Sequence, residues 1–455
     1  MDLEQQLKDI VGPHGFVIGR EVVAALPSLG LSNEARLTLR PGSTDEISRI
    51  MRLCSDAGQK VVPHGGLSGA VQGANTTEAE IALSLERMNR IEDINVEDGT
   101  MIVQAGVALQ TVQDVAAAHG LHFALDLGAR GSATIGGNVA TNAGGNQVLR
   151  YGMAREQILG LEVVLPDGRV LSSMNRMLKN NAAYDLKHLF IGSEGTLGIV
   201  TRAVLRLRTA LPALTTALVA TDDFAKIPKL LGDMGAVLGG QLTSFEVMWQ
   251  SFYHGACRGA HLGPPPIPSN HAFYILIEAS GSDQELDSVR LAAGLSGALE
   301  AGLITDAVIA KSDAERSALW AIRDNMEGLA EYVPLKAFDV SMPISRIESY
   351  LQSVDQRLHR IFDPPKYTVV GHLGDGNLHL VVSLGEKTPA RVRQVEEAVY
   401  QPLRDVAGSI SGEHGVGLEK RAFLHYCRTD TELEVMRQLK QLFDPKGILN
   451  AGKVL

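Results

Sequence analysis

Two histidines in the run from His372 to His379 (HLGDGNLH) are spaced to hold a divalent metal ion. The Asp-Gly pair between them favours a two-residue type I′ turn, in which both central residues have positive φ. A hairpin closed at that turn places His372 directly opposite His379, with Cβ atoms about 4.5–5.5 Å apart on one face. Two imidazoles at that separation can share one metal ion. The alternative is that both histidines only form local hydrogen bonds at the hairpin.

A second polar segment, residues 411–417 (SGEHGVG), supplies a carboxylate and a third imidazole. Its glycines favour a tight loop over a helix interior. Glu413 is the predicted third metal ligand. Two histidines and one carboxylate leave a coordination position open, as catalytic metal sites do. The alternative is a loop that Glu413 and His414 merely cap.

Composition and charge exclude several classes of protein. The chain has 455 residues, enough for two or three domains, and 45% of them are hydrophobic. Its net charge of −10 makes nucleic acid an unsuitable partner. The three cysteines, Cys54, Cys257 and Cys427, form neither a disulfide framework nor an iron–sulfur or zinc pattern. With an acidic N-terminus and no long apolar run, the sequence predicts a cytoplasmic protein without integral membrane contact.

The elements that position these residues are predicted by hydrophobic periodicity. Residues 44–57 and 109–119 have helical spacing, and strands are predicted at 81–84, 101–103 and 198–207. The first 208 residues therefore form a compact α+β unit, with a boundary near 211–214. Long helices over 313–331 and 391–405 and a strand over 272–278 are predicted beyond it.

Glycine is clustered as well as abundant, with 47 residues in the chain. The segments 63–70 (PHGGLSGA), 135–138 (IGGN) and 142–145 (NAGG) would expose backbone N–H groups that suit phosphate oxygens. Neither a Rossmann GxGxxG nor a Walker GxxxxGK[ST] motif occurs in the sequence. The alternative is that these glycines serve only tight turns.

Several segments, in order, resemble the FAD-binding elements of the vanillyl-alcohol-oxidase superfamily: 63–70, 126–145, 150–152 and 192–198 (GSEGTLG). The motifs GHLGDGNLH and EHGVG resemble its D-2-hydroxy acid dehydrogenase branch. That branch includes D-lactate dehydrogenases, D-2-hydroxyglutarate dehydrogenases and the flavin subunit of glycolate oxidase. The resemblance implies an α+β fold: a PCMH-type FAD-binding domain of two α+β subdomains (1–208), an α+β cap domain with an antiparallel sheet and the metal-binding hairpin (209–415), and a C-terminal segment (416–455) that returns to the FAD domain.

The resemblance also implies which residues bind FAD. The pyrophosphate would lie on 65–69 and 136–141, and Asn450 would approach the flavin. Superfamily members that attach FAD covalently use a histidine in the first loop, at the position that Leu67 occupies here, so we expect non-covalent FAD. The expected FAD-binding residues are Pro63, His64, Gly65, Gly66, Leu67, Ser68, Gly69, Ala70, Asp126, Leu127, Gly128, Ser132, Ile135, Gly136, Gly137, Asn138, Ala140, Thr141, Asn142, Gly145, Tyr151, Gly152, Glu194, Gly195, Gly198, Ile199, Val200 and Asn450.

The chemistry that the resemblance implies is oxidation of a D-2-hydroxy acid by hydride transfer to flavin N5. His414 would be the general base and a substrate contact. The metal, held by His372, His379 and Glu413, would acidify the substrate hydroxyl and fix its carboxylate. The mixed nitrogen and oxygen ligands favour zinc, with manganese or iron as alternatives.

Three further residues are expected to bind the anionic substrate. Arg323 and Lys336 match residues that bind the substrate carboxylate in D-2-hydroxyglutarate dehydrogenases, and Asn377 lies within the hairpin motif. Alternatively, Arg323 only forms a surface ion pair with Glu327. Glu327 and Val381 depart from the Thr and Asn of relatives that handle 2-hydroxyglutarate, which keeps D-lactate or another short or apolar D-acid open.

Other functions and partners remain as alternatives. A flavin subunit of a glycolate oxidase complex would need partners that carry iron–sulfur clusters. A flavin-adduct transferase of the ether-lipid synthase type is disfavoured by the histidine pair and by the lack of a basic amphipathic stretch. The electron acceptor is expected to be electron-transfer flavoprotein, a quinone or a cytochrome, and the protein is expected to be a homodimer.

Overall fold

The computed structural model describes residues 2–19, 31–258 and 263–455. The helices of these residues are α1 (Leu3–Val11), α2 (Thr44–Ala57), α3 (Leu109–Ala118), α4 (Ile135–Thr141), α5 (Val148–Tyr151), α6 (Ala154–Gln157), α7 (Lys187–Phe190), α8 (Ile227–Val237), α9 (Gln250–Cys257), α10 (Gln284–Glu300), α11 (Asp313–Asp324), α12 (Ile347–Leu358), α13 (Pro389–Tyr400) and α14 (Asp430–Phe443).

The strands of the same residues are β1 (Phe16–Ile18), β2 (Leu37–Leu39), β3 (Val61–His64), β4 (Ile81–Ser84), β5 (Ile91–Asn95), β6 (Thr100–Gln104), β7 (Leu121–His122), β8 (Ile158–Val164), β9 (Val170–Ser173), β10 (Ile199–Arg206), β11 (Arg208–Thr209), β12 (Ala213–Thr221), β13 (Leu242–Trp249), β14 (Phe273–Gly281), β15 (Asp306–Ile309), β16 (Leu335–Ser341), β17 (Tyr367–His372) and β18 (Asn377–Ser383). Short 3-10 segments occur at Phe224–Lys226, Glu327–Tyr332, Ile344–Arg346, Leu373–Asp375, Gln401–Val406 and Arg421–Tyr426.

The chain divides into two compact units, each assembled from separate stretches. The first unit contains Met1–Gly145, Gly152–Ala210 and Glu413–Leu455, and the second contains Asn146–Tyr151 and Leu211–Gly412. The boundaries between the units lie at 210/211 and 412/413. The boundaries predicted from the sequence were 208/209 and 415/416. No feature of the sequence indicated that residues 146–151 join the second unit.

Among the described residues, the first unit has two larger sheets, a two-stranded sheet of β7 and β11, and the predicted α+β character. One sheet has the order β1-β2-β4-β3, with β2 and β3 both parallel to β4, and the other is antiparallel with the order β5-β6-β10-β8-β9. The C-terminal segment returns to the first sheet, because the Asn450 N–H donates to the Val61 carbonyl at 2.8 Å.

Helix α2 shows why this unit folds as its sequence predicts. The Ser43 side chain caps the helix by accepting a hydrogen bond from the Glu46 N–H, and Gly58 ends it in the left-handed region at φ +67°. Its helically spaced apolar residues, including Ile47, Ile50 and Met51, are buried in the core of the unit.

The second unit is built on a seven-stranded antiparallel sheet in the order β15-β12-β14-β13-β17-β18-β16. Helices α9 and α11 pack apolar residues against one face, among them Phe252 and Leu319. Helix α13 packs on the opposite face, where Tyr400 meets Phe338 of β16 at a ring-centroid distance of 5.3 Å. Helix α5 joins this unit through Arg150, whose Nη1 donates to the Ser280 carbonyl at 2.6 Å.

Two predicted helices end earlier than expected. The helix predicted over 313–331 ends at Asp324, since Asn325 is already extended at ψ 108°. The helix predicted over 391–405 ends at Tyr400 and continues as a 3-10 segment, because Pro402 has no N–H to donate within an α-helix. Among the described residues, the structure contains no helix whose length and apolar character would let it cross a membrane.

Candidate active site

The hairpin that carries the two histidines has a different register from the one predicted. Leu373–Asp375 forms a 3-10 turn and only Gly376 has positive φ, at +81°, so the predicted type I′ turn is wrong. His379 consequently lies opposite Val370 rather than His372. A side chain on Gly376 would lie 2.2 Å from the Met342 carbonyl, which explains why glycine is needed at this corner.

The two imidazoles are nevertheless neighbours on one face of the second unit's sheet. The register differs by two residues, and a shift by two keeps a side chain on its face, whereas a shift by one would reverse it. The ring centroids of His372 and His379 are 5.4 Å apart and their planes are nearly perpendicular, at 83°. Their ligand nitrogens lie within 4.8 Å of each other, a separation that one bound ion can bridge.

A buried carboxylate that we did not predict, Glu246, lies beside this pair. It is directly opposite His372 in the sheet and is 1% exposed. Its Oε1 accepts a hydrogen bond from His372 Nδ1 at 2.9 Å, and its Oε2 accepts bonds from Arg323 Nε at 3.0 Å and Nη2 at 2.9 Å. Burial alone raises the pKa of Glu246, but the interactions with His372 and Arg323 outweigh burial and hold that pKa below its usual value.

Arg323 is therefore buried next to the histidine pair rather than exposed. Its side chain is 6% exposed, and its Nη2 lies 3.3 Å from His372 Nε2. The alternative of a helical surface pair with Glu327 does not apply, because α11 ends at Asp324 and residue 327 begins a 3-10 segment. Arg323 thus lies beside the histidine pair, and its substrate role stays a prediction.

Asn377 and the end of the second unit meet at another buried carboxylate, Asp339. Asp339 lies directly opposite His379 and accepts hydrogen bonds from Asn377 Nδ2 at 2.8 Å, Ser411 Oγ at 2.9 Å and the Gly412 N–H at 3.1 Å. A side chain on Gly412 would lie 2.0 Å from Asn377 Nδ2, so only glycine fits there. Glu413 is the next residue in the chain.

The structure does not bring Lys336 onto the face that carries the imidazoles. Lys336 and Asp339 are three residues apart in a regular strand, so their side chains point to opposite faces. The Lys336 ammonium pairs with Glu396 of α13 at 3.1 Å, on the face where that helix packs.

A cavity of about 340 Å³ lies within the first unit, among the glycine-rich segments. It is lined by Glu413 and His414 and by most of the residues predicted to bind FAD. Those predicted residues are Pro63, His64, Gly65, Gly66, Leu67, Ser68, Gly69, Ala70, Leu127, Gly128, Gly136, Gly137, Asn138, Ala140, Thr141, Glu194, Gly195, Gly198, Ile199, Val200 and Asn450. The others, which are not among its lining residues, are Asp126, Ser132, Ile135, Asn142, Gly145, Tyr151 and Gly152.

Polar atoms of this cavity fit an extended phosphate-bearing ligand such as FAD. Thr134 Oγ1 and Asn138 Nδ2 are buried and have no hydrogen-bond partner within the described part of the chain. A side chain on Gly65 would lie 2.8 Å from Thr134 Oγ1, so glycine keeps the loop backbone close to this hydroxyl. His64 is neutral at physiological pH, because burial lowers its pKa to about 4, and its Nε2 bonds the Ala74 carbonyl at 2.8 Å.

The loop that carries His414 is fastened to the cavity by Glu194. The Glu194 carboxylate accepts the N–H groups of Val416 at 2.7 Å and Gly417 at 2.8 Å. Burial raises the pKa of Glu194, although the two hydrogen bonds oppose that rise. The imidazole of His414 is 37% exposed, and its Nε2 lies 3.6 Å from Glu413 Oε1. A solvent-accessible ring in a fixed loop suits a group that takes a proton from a ligand in the cavity.

The residues that we missed left weak signals in the sequence. Glu246 is the single charged residue of strand β13, whose other residues are apolar or uncharged. Asp339 is the single carboxylate of strand β16. A charged residue at a position predicted to be buried indicates a partner, and that signal could have pointed to both. Thr134 left no comparable signal.

Comparisons with known proteins identify the family of the chain. A model of an FAD binding domain matches residues 35–173, and a model described as the C-terminal domain of FAD-linked oxidases matches residues 211–454. A probable mitochondrial D-2-hydroxyglutarate dehydrogenase of Oryza sativa subsp. japonica is 38% identical, covering 98% of this chain and 80% of its own length. A D-2-hydroxyglutarate dehydrogenase of Xanthomonas citri pv. viticola is 39% identical, covering 91% and 88%.

Solved structures with lower identity share the fold. An alkyldihydroxyacetonephosphate synthase matches with a TM-score of 0.73 at 17% identity, over 99% of this chain and 85% of its own. This likeness concerns the fold alone and gives no support to a transferase function. The family assignment rests on the two domain models and on the dehydrogenases, because these matches together extend over most of the chain. The chain belongs to the FAD-linked D-2-hydroxy acid dehydrogenase branch of the vanillyl-alcohol-oxidase superfamily, and it is an FAD-dependent oxidoreductase.

Proposed function

We propose that this protein oxidises a D-2-hydroxy acid of the D-2-hydroxyglutarate or D-lactate class to the 2-oxo acid with the help of a divalent metal ion. The observation that carries the proposal is the pair of imidazoles, His372 and His379, on one sheet face beside the buried carboxylate Glu246. The relatives named D-2-hydroxyglutarate dehydrogenases support the first substrate. Glu327 and Val381, which depart from the pattern expected for that substrate, keep D-lactate as the alternative.

FAD binding and the cap are assigned to different parts of the chain. Residues 1–208 with 416–455 would form the FAD domain, and 209–415 the cap domain. Bound FAD supplies the acceptor for the hydride and is held without a covalent bond, since Leu67 occupies the position of the linking histidine. The unpartnered Thr134 Oγ1 and Asn138 Nδ2, which have no partner within the described part of the chain, would contact it in the first-unit cavity.

The proposed ligands of the metal are His372, His379 and Glu413. Glu413 follows Gly412, whose N–H is bonded to Asp339, directly across the sheet from His379. Consecutive Cα atoms are about 3.8 Å apart, so this anchor keeps the Glu413 backbone near the histidine face. The ligand set favours zinc, and metal analysis would distinguish it from manganese or iron.

The substrate would be held by charge and hydrogen bonds and deprotonated by His414. Arg323 provides a cation for the carboxylate at the histidine pair. Asn377 donates its amide N–H groups to Asp339 and the Val340 carbonyl, so its oxygen is the group we expect to meet the substrate. The substrate role of Lys336 stays a prediction, and its ammonium pairs with Glu396 on the other face of β16.

We further propose that the protein works in the cytoplasm as a homodimer and passes electrons to electron-transfer flavoprotein, a quinone or a cytochrome. The three cysteines are free thiols, which supports a reducing compartment. Sedimentation analysis of the purified protein tests the dimer, and a panel of these acceptors tests the last step.

Anaerobic mixing with single hydroxy acids tests the reaction itself. The flavin absorbance should bleach with D-2-hydroxyglutarate or D-lactate and persist with the L-enantiomers, because an arginine and a fixed metal hold the carboxylate and hydroxyl in one geometry. D-malate and glycolate complete the panel. Flavin that stays oxidised with every D-acid, in protein loaded with FAD and metal, would rule out the proposed activity.

Gly66→Ala should weaken FAD binding roughly tenfold or more, since overpacking typically costs about 1–3 kcal/mol. The added Cβ would lie 1.8 Å from the Ser132 carbonyl oxygen, and both are backbone-fixed. Flavin released into the supernatant after acid precipitation measures the loss and also tests non-covalent attachment. Gly131→Ala is the control, because no atom lies within 4 Å of its added Cβ. Wild-type flavin content in Gly66→Ala would contradict the proposed contact.

A further inference from the structure

Both oxygens of Glu246 are used by groups of the candidate active site. This carboxylate lies in β13, is 1% exposed and has no role in the chemistry described so far. A buried charge is stabilised only when its partners compensate for lost water. Oε2 is held by two donors of Arg323, and Oε1 by His372 Nδ1 at 2.9 Å.

These contacts fix which nitrogen of His372 carries a proton. An ionised carboxylate only accepts hydrogen bonds, so Nδ1 must be protonated where it meets Oε1. A guanidinium only donates, so the Nη2 of Arg323, 3.3 Å from His372 Nε2, faces a lone pair there. A proton on Nε2 would place two donors against each other. Both neighbours therefore select the same tautomer, with Nδ1–H and an Nε2 lone pair that faces Arg323 Nη2 here and that a bound metal ion would take in its place.

We propose that Glu246 is a positioning residue that holds His372 in the Nδ1–H tautomer, so that Nε2 is the nitrogen that binds the metal ion. This inference rests on the proposed metal site. A carboxylate hydrogen-bonded to the far nitrogen of a ligating histidine fixes the ring orientation and raises the basicity of the ligand. Glu246 acts on the metal only through His372.

Glu246→Gln tests this role because an amide has a single oxygen. The guanidinium of Arg323 attracts that oxygen and repels the amide NH2, which consequently turns toward His372 Nδ1. Nδ1 must then accept a hydrogen bond, and the proton moves to Nε2, where it blocks the metal and forces the Arg323 Nη2 donor away from the ring. We expect the Kd for Zn²⁺ to rise roughly 10–100-fold, the usual effect of losing such a partner.

Glu278→Gln is the matched control. Glu278 is also a buried carboxylate, in the adjacent strand β14, where it accepts bonds from Thr216 Oγ1 at 2.8 Å and Trp320 Nε1 at 2.7 Å. FAD-loaded, metal-stripped protein is titrated with Zn²⁺ against a chromophoric chelator. A weakened Kd in Glu246→Gln with an unchanged Kd in Glu278→Gln supports the proposal. Wild-type affinity in Glu246→Gln overturns the role of Glu246, whereas a wild-type protein that binds no Zn²⁺ overturns the metal site itself.

The tautomer can also be measured directly. Imidazole ¹⁵N shifts of metal-free, FAD-loaded protein, assigned with a His372→Gln sample, should show Nδ1–H in the wild type and Nε2–H in Glu246→Gln. An Nε2–H tautomer in the wild type overturns the proposal. Flavin content and thermal unfolding show whether Glu246→Gln has folded. If it has not, the wild-type measurement still tests the proposed tautomer.

Discussion

His379→Ala should leave the protein folded and loaded with FAD but unable to hold a divalent ion, and flavin reduction by its D-2-hydroxy acid should slow roughly 10²–10⁴-fold. A metal ion that polarises the reacting oxygen contributes several kcal/mol to transition-state stabilisation. About 3–5 kcal/mol corresponds to that range at about 1.4 kcal/mol per factor of ten. The fold should survive, because His379 is only half-buried and its sheet neighbours remain.

Chelation provides an independent measurement of the same effect. Wild-type protein treated with EDTA should lose activity to a similar extent and regain it with Zn²⁺ or Mn²⁺, whereas His379→Ala should regain none. His359→Ala is the control, since His359 lies at the exposed end of α12 beside Asp355. Metal-free protein that turns over at the wild-type rate would remove the metal from the mechanism.

The hairpin illustrates how a wrong local turn prediction can still leave two histidines on one face of a sheet. Dipeptide preference suggested a two-residue turn, but the chain makes a longer corner, because Gly376 packs against the Met342 backbone from another part of the second unit. Such a tertiary contact is absent from turn statistics. The observed register differs from the predicted one by an even number of residues. Because side chains alternate with a period of two along a strand, both imidazoles stay on one face.

Lys336 shows a limit of predicting side-chain direction from sequence. Its match to a substrate-binding position rested on the sequence alone. In a strand, a shift of one residue moves a side chain to the opposite face of the sheet. Ala337, not Lys336, has the parity of Asp339 and His379. Only the observed pairing of β16 with β18 reveals which of two adjacent residues points to which face.

The buried network around Glu246 depended on long-range pairing that one sequence does not display. Glu246 and His372 are 126 residues apart, and they meet because β13 pairs with β17. The glycine-rich cavity was easier to predict, because each loop carries its own backbone signature and the resemblance fixed their order. Features that lie within one short segment could therefore be predicted from the sequence. Hydrogen-bond partners that come from distant segments could not.

His414→Ala should reduce the rate of flavin reduction roughly 10²–10⁴-fold, the usual contribution of a general base. Its ring is accessible and lies in the loop that Glu194 fastens to the cavity. FAD and metal contents should be unchanged. Added imidazole should restore part of the rate, because a small base can enter the space left by the side chain. His119→Ala is the control, since His119 lies at the exposed end of α3.

Comparison of His414→Ala with His414→Gln separates proton removal from substrate binding. Glutamine can still donate and accept hydrogen bonds but cannot take the hydroxyl proton. If His414 is the base, both variants lose kcat, and only the alanine variant responds to imidazole. If its role is only to hold the substrate, the glutamine variant keeps kcat and the loss appears in KM. A His414→Gln variant with wild-type kcat would therefore transfer the role of base to another residue.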